Sequence, residues 1–307
     1  MTINTHLTEF AGRPVVVFDP SEALPSDPGA VAWRLTADYD TSAGDFAGLV
    51  EQFLGKVEPA SVQALIIGQW GSAYEEEAPV ELLVGLADRL TGLRALFLGE
   101  MTFEECEISW IQQADVTPLL VAYPELETLR VRGADGLVVT PTRHEALREL
   151  AFESGGLPAA VVRAVGECDL PGLTHLELWL GTDNYGGDAT VEDLAPILAG
   201  TRLPALTYLG LRDAEIADPV AAALAGAPVV ARLQTLDLSL GILSDTGAAA
   251  LLAGQPLTHL RRLDLHHHFI TPELAARLVE ELPGVEVDLT DVQEADSDGD
   301  RYVDVAE

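Results

Sequence analysis

Residues 233–251 read LQTLDLSLGILSDTGAAAL: Leu-x-x-Leu-x-Leu, then a turn, then an Ala-rich run opened by Ser244 and Asp245. In a strand, successive side chains point to opposite faces, so Leu236 and Leu238 point one way and Asp237 the other. The spacing predicts a strand followed by a helix at about 245–252, with Ala249, Leu251 and Leu252 covering the leucines. Asp237, on the opposite face, is expected to matter little to stability. One strand and one helix cannot bury both apolar faces, so the unit has to stack on others like it. The phrase does recur, as LRALFL from Leu93, LETLRV from Leu126, LREL from Leu147, LTHLEL from Leu173, LTYLGL from Leu206 and LRRLDL from Leu260. Looser copies start at Ala30 and Val62, and a half-copy, VEVDL, starts at Val285. Each leucine that stacking buries contributes roughly 1.5–3 kcal/mol.

Completed by ILSDTGAAAL, the phrase resembles the leucine-rich repeat of the long, ribonuclease-inhibitor type over about residues 30–289. The resemblance implies an α/β fold: a right-handed solenoid of about nine to ten repeats, bent into an arc. A parallel β-sheet would line its concave face and helices its convex face. That family places Asn or Cys three residues after the last strand leucine. Here Gly181, Ala214, Gly241 and His268 stand there, so the turns must be satisfied in another way. The TEFAGRPV opening (8–15) and the ECEISWIQQAD loop (105–115) are also similar to a group of bacterial leucine-rich-repeat proteins described as cytoplasmic.

Stacked arrays need covered ends. Residues 1–29, with GRPVVVFDP at 12–20 as an extended strand, are expected to cap the first repeat, and 290–307 to form an acidic closing tail. Helices are expected at 42–54, 80–90, 118–122, 158–166, 191–198, 219–225, 245–252 and 272–282. After the strand at Leu126, RVRGADGLVVTPTRHE replaces the helix with a loop.

The 307 residues are 48% hydrophobic, enough for an extended core, and the continuous repeat overrides a two-domain division by length. Seventeen Lys and Arg face fifty Asp and Glu, a formal charge of −33. That balance argues against nucleic acid and anionic membranes as partners and favours a basic protein or peptide. It also keeps a long apolar array in solution. Cys106 and Cys168 make no disulfide framework and read as reduced thiols. With no basic, apolar leader in the N-terminal residues, the expected location is cytoplasmic. The longest uncharged run, 219–231, is too short to span a bilayer and contains Pro228.

Charge is distributed unevenly. The strand phrases carry eight arginines (Arg34, Arg94, Arg130, Arg132, Arg148, Arg212, Arg261, Arg262) and eight acids (Glu100, Glu127, Glu149, Glu153, Glu177, Asp213, Asp237, Asp264). The sheet should thus present a charge-balanced strip on an acidic body. Stacked strands avoid like charges side by side, and such a strip also suits polar recognition. Connections after parallel strands of one hand emerge on one rim. Three of them hold most of the tryptophans: QWGSAYEEEA (69–78), GEMTFEECEISWIQQAD (99–115) and WLGTDNYGGDA (179–189). Trp110 reads as core beneath its long loop. Trp70 and Trp179 are expected to be exposed, with Tyr74 and Tyr185 beside them and His175, Glu177, Tyr208 and Arg212 adjoining on the strands. Exposed aromatics ringed by carboxylates suit a binding surface for a protein or peptide.

Metal chemistry is weakly encoded. Asp296, Asp298, Asp300, Tyr302, Asp304 and Glu307 have the spacing of a calcium loop, but Arg301 stands where the sharp turn needs glycine, and no helix follows. An acidic turn leading into a closing strand, Arg301 to Val305, explains the segment better. His266 and His268 could share a face, with His175 on an earlier strand, yet zinc needs three or four converging ligands. No GxSxG, HExxH, GxxxxGK[ST] or GxGxxG occurs. Cys106 lies among Glu104, Glu105 and Glu107, which raises a thiol pKa and opposes nucleophilicity. The sequence therefore calls for no cofactor and reads as a non-catalytic scaffold. The alternative is an enzyme, or an accessory subunit of one, with a pocket in the aromatic loops.

Overall fold

The computed structural model describes residues 3–306. Its centre is a twelve-stranded sheet whose strand order follows the sequence. The strands are β1 (Glu9–Phe10), β2 (Arg13–Val17), β3 (Ala32–Leu35), β4 (Ala64–Ile67), β5 (Ala95–Leu98) and β6 (Thr128–Arg132), then β7 (Glu149–Glu153), β8 (His175–Gly181), β9 (Tyr208–Ala214), β10 (Thr235–Asp237), β11 (Arg262–Asp264) and β12 (Glu286–Asp288). β1 and β2 pair antiparallel, and every later pair is parallel.

Eight α-helices lie in the connections among the described residues: α1 (Ala43–Lys56), α2 (Val80–Gly85), α3 (Thr117–Ala122), α4 (Ala159–Glu167), α5 (Ala195–Ala199), α6 (Ala217–Leu224), α7 (Asp245–Ala253) and α8 (Pro272–Glu281). The expected spans hold to within a few residues, except that α2 stops at Gly85 and α5 starts only at Ala195. No helix joins β6 to β7, where a loop at 133–148 takes its place. Local signals set the helix starts. Ser42 accepts from the Asp45 amide at 3.2 Å, and Ser244 from the Thr246 amide at 3.2 Å.

The leucine register is the one the phrase dictates. Leu209, Leu236 and Leu263 stand side by side, each buried. With Leu211, Leu238 and Leu265 they join a continuous core shared with the helices. The helix phase differs by one residue from expectation. Ala248 and Leu251 are buried and Leu252 partly so, while Ala249 is exposed. Leucine-rich-repeat-like stacking thus gives a sheet with one face under helices and a second face free of them, called here the open face. No helix among the described residues is long and apolar enough to cross a membrane.

Turn satisfaction answers the missing Asn and Cys. His268 is fully buried: the Ile270 amide donates to its Nδ1 at 3.0 Å, and its Nε2 lies 3.1 Å from the Leu289 carbonyl. Gln113 Nε2 donates to the Arg132 carbonyl at 2.7 Å. Asp218 accepts from the Ser244 and Gly247 amides at 2.8 and 3.0 Å.

The expected closing strand at 301–305 does not form. That segment is extended, but its backbone groups bond to turns and side chains rather than to β12.

Candidate functional site

The open face is read directly from the register. One row runs Phe97, Arg130, Ala151, Glu177, Gly210, Asp237, Asp264 and Asp288 across β5 to β12. The row on the strand-entry side runs Glu149, His175, Tyr208, Thr235, Arg262 and Glu286. Over β3 to β5 this face is largely apolar, with Phe10 packed on Ala32, Ala64, Ile66, Ala95 and Phe97, and its one arginine, Arg34 of β3, is paired with the buried Glu100 at 2.8 Å. Beyond β5 it becomes ionic, with cations set beside carboxylates.

Glu177 is the hub. Its carboxylate accepts from Trp179 Nε1 at 2.7 Å and Arg212 Nη1 at 2.8 Å, with Arg130 Nη2 and His175 Nε2 each at 3.4 Å. Arg130 also reaches Glu149 at 3.1 Å and Glu153 at 2.8 Å, and Arg132 Nε reaches Glu153 at 2.8 Å. The Arg212 guanidinium lies 5.2 Å from the centre of the Trp179 ring. The His175 and Tyr208 rings stack at 3.7 Å, and Tyr208 donates to Asp237 at 2.7 Å. Burial works against the Glu177 carboxylate. The hydrogen bond from His175, the charges of Arg130 and Arg212 and the Trp179 indole overcome it and hold its pKa below the usual range. Burial, then the Asp237 charge, pushes the Tyr208 phenol up.

Five of the expected site residues therefore meet: His175, Glu177, Trp179, Tyr208 and Arg212. The expected exposure of the tryptophans is corrected. Trp70 is 2% exposed, packed in the helix-side core, with its indole donating to the Glu76 carbonyl at 3.0 Å. Trp179 is 7% exposed and lies on the open face beneath other chain segments. Trp110 reverses the other way and is 49% exposed. Sequence pattern alone does not report whether a later segment covers an aromatic. Tyr74 sits apart from the cluster, with the Glu107 amide donating to its hydroxyl at 3.4 Å. Tyr185 ends a short 3-10 turn and, with Ser109, Trp110, Asp135, Ser154 and Asn184, lines a rim cleft of about 290 Å³.

The covering segments are the chain's own ends. The Ile3 carbonyl accepts from the Phe103 amide at 2.8 Å, and Glu100 accepts from the Leu7 amide at 3.0 Å. At the other end, Val305 joins Trp179, Ile108 and Leu240 in an apolar group on the open side. The Val305 amide donates to Asp213 at 2.9 Å. Sequence reasoning missed this contact; its one visible sign is the aliphatic alternation of Val303 and Val305 within an acidic stretch.

Chemistry at this surface is limited. Burial pushes the Cys106 thiol up to about 12 and raises Cys168 as well, so both are poor nucleophiles at neutral pH. Ser109 donates to the Ala306 carbonyl and Ser154 to the Trp179 carbonyl, and neither is paired with a base. His266 and His268 do not share a face. His266 bonds Asp264 at 2.7 Å on the open side, while both ring nitrogens of His268 serve backbone groups.

Among the described residues, Asp264, His266 and Asp288 have ligand atoms within 4.8 Å of one another. Arg262 Nη2 already sits 2.8 and 2.7 Å from the two carboxylates and supplies the positive charge. In the acidic turn, Asp296 accepts from the Asp298 and Asp300 amides at 2.9 Å and from the Tyr302 hydroxyl at 2.8 Å. Asp304 turns away toward His267 at 3.7 Å, and Glu307 lies outside the described residues.

A solved protein of Bacteroides fragilis is 30% identical to the chain, over 89% of this chain and 77% of its own, with a TM-score of 0.80. The chain belongs to that protein's family. Two other solved structures align with TM-scores below one half: TLR13 in its complex with ssRNA13 (0.37, 12% identity, 86% of this chain and 33% of its own) and an internalin of Listeria monocytogenes (0.31, 16% identity, 92% and 87%). No family model matches the chain, and neither does any curated protein.

Proposed function

We propose that the chain is a non-catalytic scaffold that binds a protein or peptide, built as a right-handed solenoid of the ribonuclease-inhibitor type. In this reading the open face is the concave one and the helices form the convex side. Residues 1–29 and 290–307 are its caps, and it works in the cytoplasm. The carrying observation is the preformed network around Glu177. Its charges are paired before any partner arrives, so docking there costs little reorganisation. His175, Tyr208 and Arg212 offer partly exposed rings and donors at its edge, with Tyr185 and the exposed Trp110 on the neighbouring rim. The formal charge of −33 selects a basic partner and speeds its approach. The rim cleft bears one carboxylate, Asp135, and no nucleophile paired with a base, which favours binding over an enzyme pocket.

The test is affinity capture from the source cell's lysate, read by mass spectrometry, with the wild type and a Tyr208→Ala/Arg262→Ala variant. The variant should lose the captured protein while keeping its far-UV circular dichroism, and salt should weaken capture. Equal capture by both proteins would move the site off the open face.

A further inference from the structure

Residues 301–306 cross the strand-exit turns of successive repeats. The Arg301 guanidinium lies 5.6 Å from the Phe269 ring centre, and His267 Nε2 is 3.2 Å from the Tyr302 carbonyl. The Asp304 amide donates to the Leu240 carbonyl at 2.8 Å, the Val305 amide to Asp213 at 2.9 Å, and Ser109 Oγ to the Ala306 carbonyl at 2.7 Å. A Cβ at Gly155 would lie 2.4 Å from the Ala306 oxygen, so that glycine admits the end of the strap. Val303 and Val305 face in and are buried, while Tyr302 between them and the acidic hinge is exposed.

The seat beneath the strap is built by backbone strain repeated in register. Asp213, Leu240, His267 and Asp291 follow the paired residues Gly210, Asp237, Asp264 and Asp288 by the same interval. All four are left-handed, with φ of 52°, 67°, 57° and 59°. Asp and His tolerate that region, but a leucine there is strained. The conformation turns Leu240 out of the helix-side core and against Trp179 and Val305. Backbone hydrogen bonds plus pockets for alternate side chains are how proteins recognise extended segments.

The present occupant fits in shape but not in charge. The strap and hinge carry Asp296, Asp298, Asp300 and Asp304 against one Arg301, within a chain whose formal charge, these residues included, is −33. A segment with the same aliphatic spacing and basic residues in the hinge positions gains on both counts. We propose that this groove docks an extended basic segment of a partner protein, with aliphatic residues two apart, and that 301–306 hold the groove closed until that segment displaces them. The inference rests on the scaffold reading and names the partner's chemistry.

The experiment uses the full chain, its Val303→Asp/Val305→Asp variant, and two labelled nonapeptides. One is residues 298–306; the other carries Asp298→Lys and Asp300→Lys. The tethered strap competes at high effective concentration in the wild type. The variant should therefore bind either peptide at least about 10-fold more tightly than the wild type, and the basic peptide more tightly than the acidic one at low salt. In the wild type, hydrogen exchange of the Asp304 and Val305 amides should be far faster than that of the β10 core. A folded variant that binds neither peptide would overturn the proposal. Strap amides that exchange only with the core would do the same whether or not the variant folds, as would strap exchange between copies, seen as a concentration-dependent dimer that ignores both peptides. Lysate capture that still depends on Tyr208 and Arg262 in any of those cases would leave the scaffold reading standing.

Discussion

The Trp179 indole donates a 2.7 Å hydrogen bond to Glu177, its neighbour on the open face of the same strand. The pair shows why so many charges can sit under cover on that face. Glu153, Glu177, Asp237 and Asp264 each have a guanidinium beside them, and the ring of Trp179 shields the set around Glu177 while its N–H fills an acceptor site. Removing one partner is costly, because the other charges remain buried.

Glu177→Ala should therefore lower unfolding free energy by about 3–5 kcal/mol, measured in urea. It leaves the Trp179 indole and His175 without their shared acceptor and takes one carboxylate from each of Arg130 and Arg212, which keep Glu149, Glu153 and Asp237. His175→Ala, at the exposed edge, should cost less than half as much. Equal losses would mean that the network is not centred on Glu177.

Leu236→Ala should cost about 2–5 kcal/mol, because a fully buried leucine leaves a cavity in a core that relaxes only in part. The repeat phrase suggests a small effect for the outward Asp237, and the structure revises it. Asp237 accepts from the Tyr208 hydroxyl at 2.7 Å and the Ser239 amide at 3.0 Å, so Asp237→Ala should cost about 1.5–3 kcal/mol, as for hydrogen bonds to charged groups. Chemical denaturation of both variants checks the pair.

Leu236 and Asp237 also mark what the sequence reveals and what it hides. Period-two alternation carried the strand phrase and its register, and the runs between the phrases carried the eight helices, α2 and α5 less closely, because those depend on neighbours close in sequence or one repeat away. The burial of Asp237, Glu177 and Trp179 depends on contacts across strands and on a strap more than ninety residues further along, such as Val305 on Asp213. No local period records such a contact. Trp70 and Trp110 depart from expectation for the same reason: the turn at 72–76 folds back over the first, and the second stays half exposed.

His266 should titrate above its ordinary value. The hydrogen bond to Asp264 is the main cause, and burial opposes it. For Asp264, burial resists ionisation, but the bonds from His266 and Arg262 overcome it and hold its pKa at about 2. A raised histidine stabilises the fold fully below about pH 6.5, and this contribution is lost as pH rises through the folded value. A depressed carboxyl stabilises above about pH 3.9 and is lost as pH falls through about 2. The pair should thus help most between those limits. Asp264→Asn should bring the His266 pKa, followed by NMR, back toward or below the model-peptide value. An unchanged titration would show that the imidazole and the carboxylate are not coupled.

Asp213 lies at the opposite extreme. It is fully buried, and burial holds its carboxyl well above the usual range while the Val305 amide and the Arg212 charge pull the other way. Such a group favours the fold most below its unfolded pKa, about 3.9, and that advantage is lost as pH rises through the folded value. Asp213→Asn keeps an acceptor for the Val305 amide, suits the left-handed backbone and cannot ionise. It should leave stability at pH 4 nearly unchanged and raise it at pH 8, by about 1.4 kcal/mol for each unit by which the folded pKa exceeds 3.9. Asp213→Leu removes the acceptor and puts a second bulky residue in the left-handed region, so it should destabilise at both values. Thermal unfolding of the three proteins at pH 4 and pH 8 decides. A loss of stability in Asp213→Asn at pH 8 would mean that the carboxylate is ionised under the strap and holds it by charge.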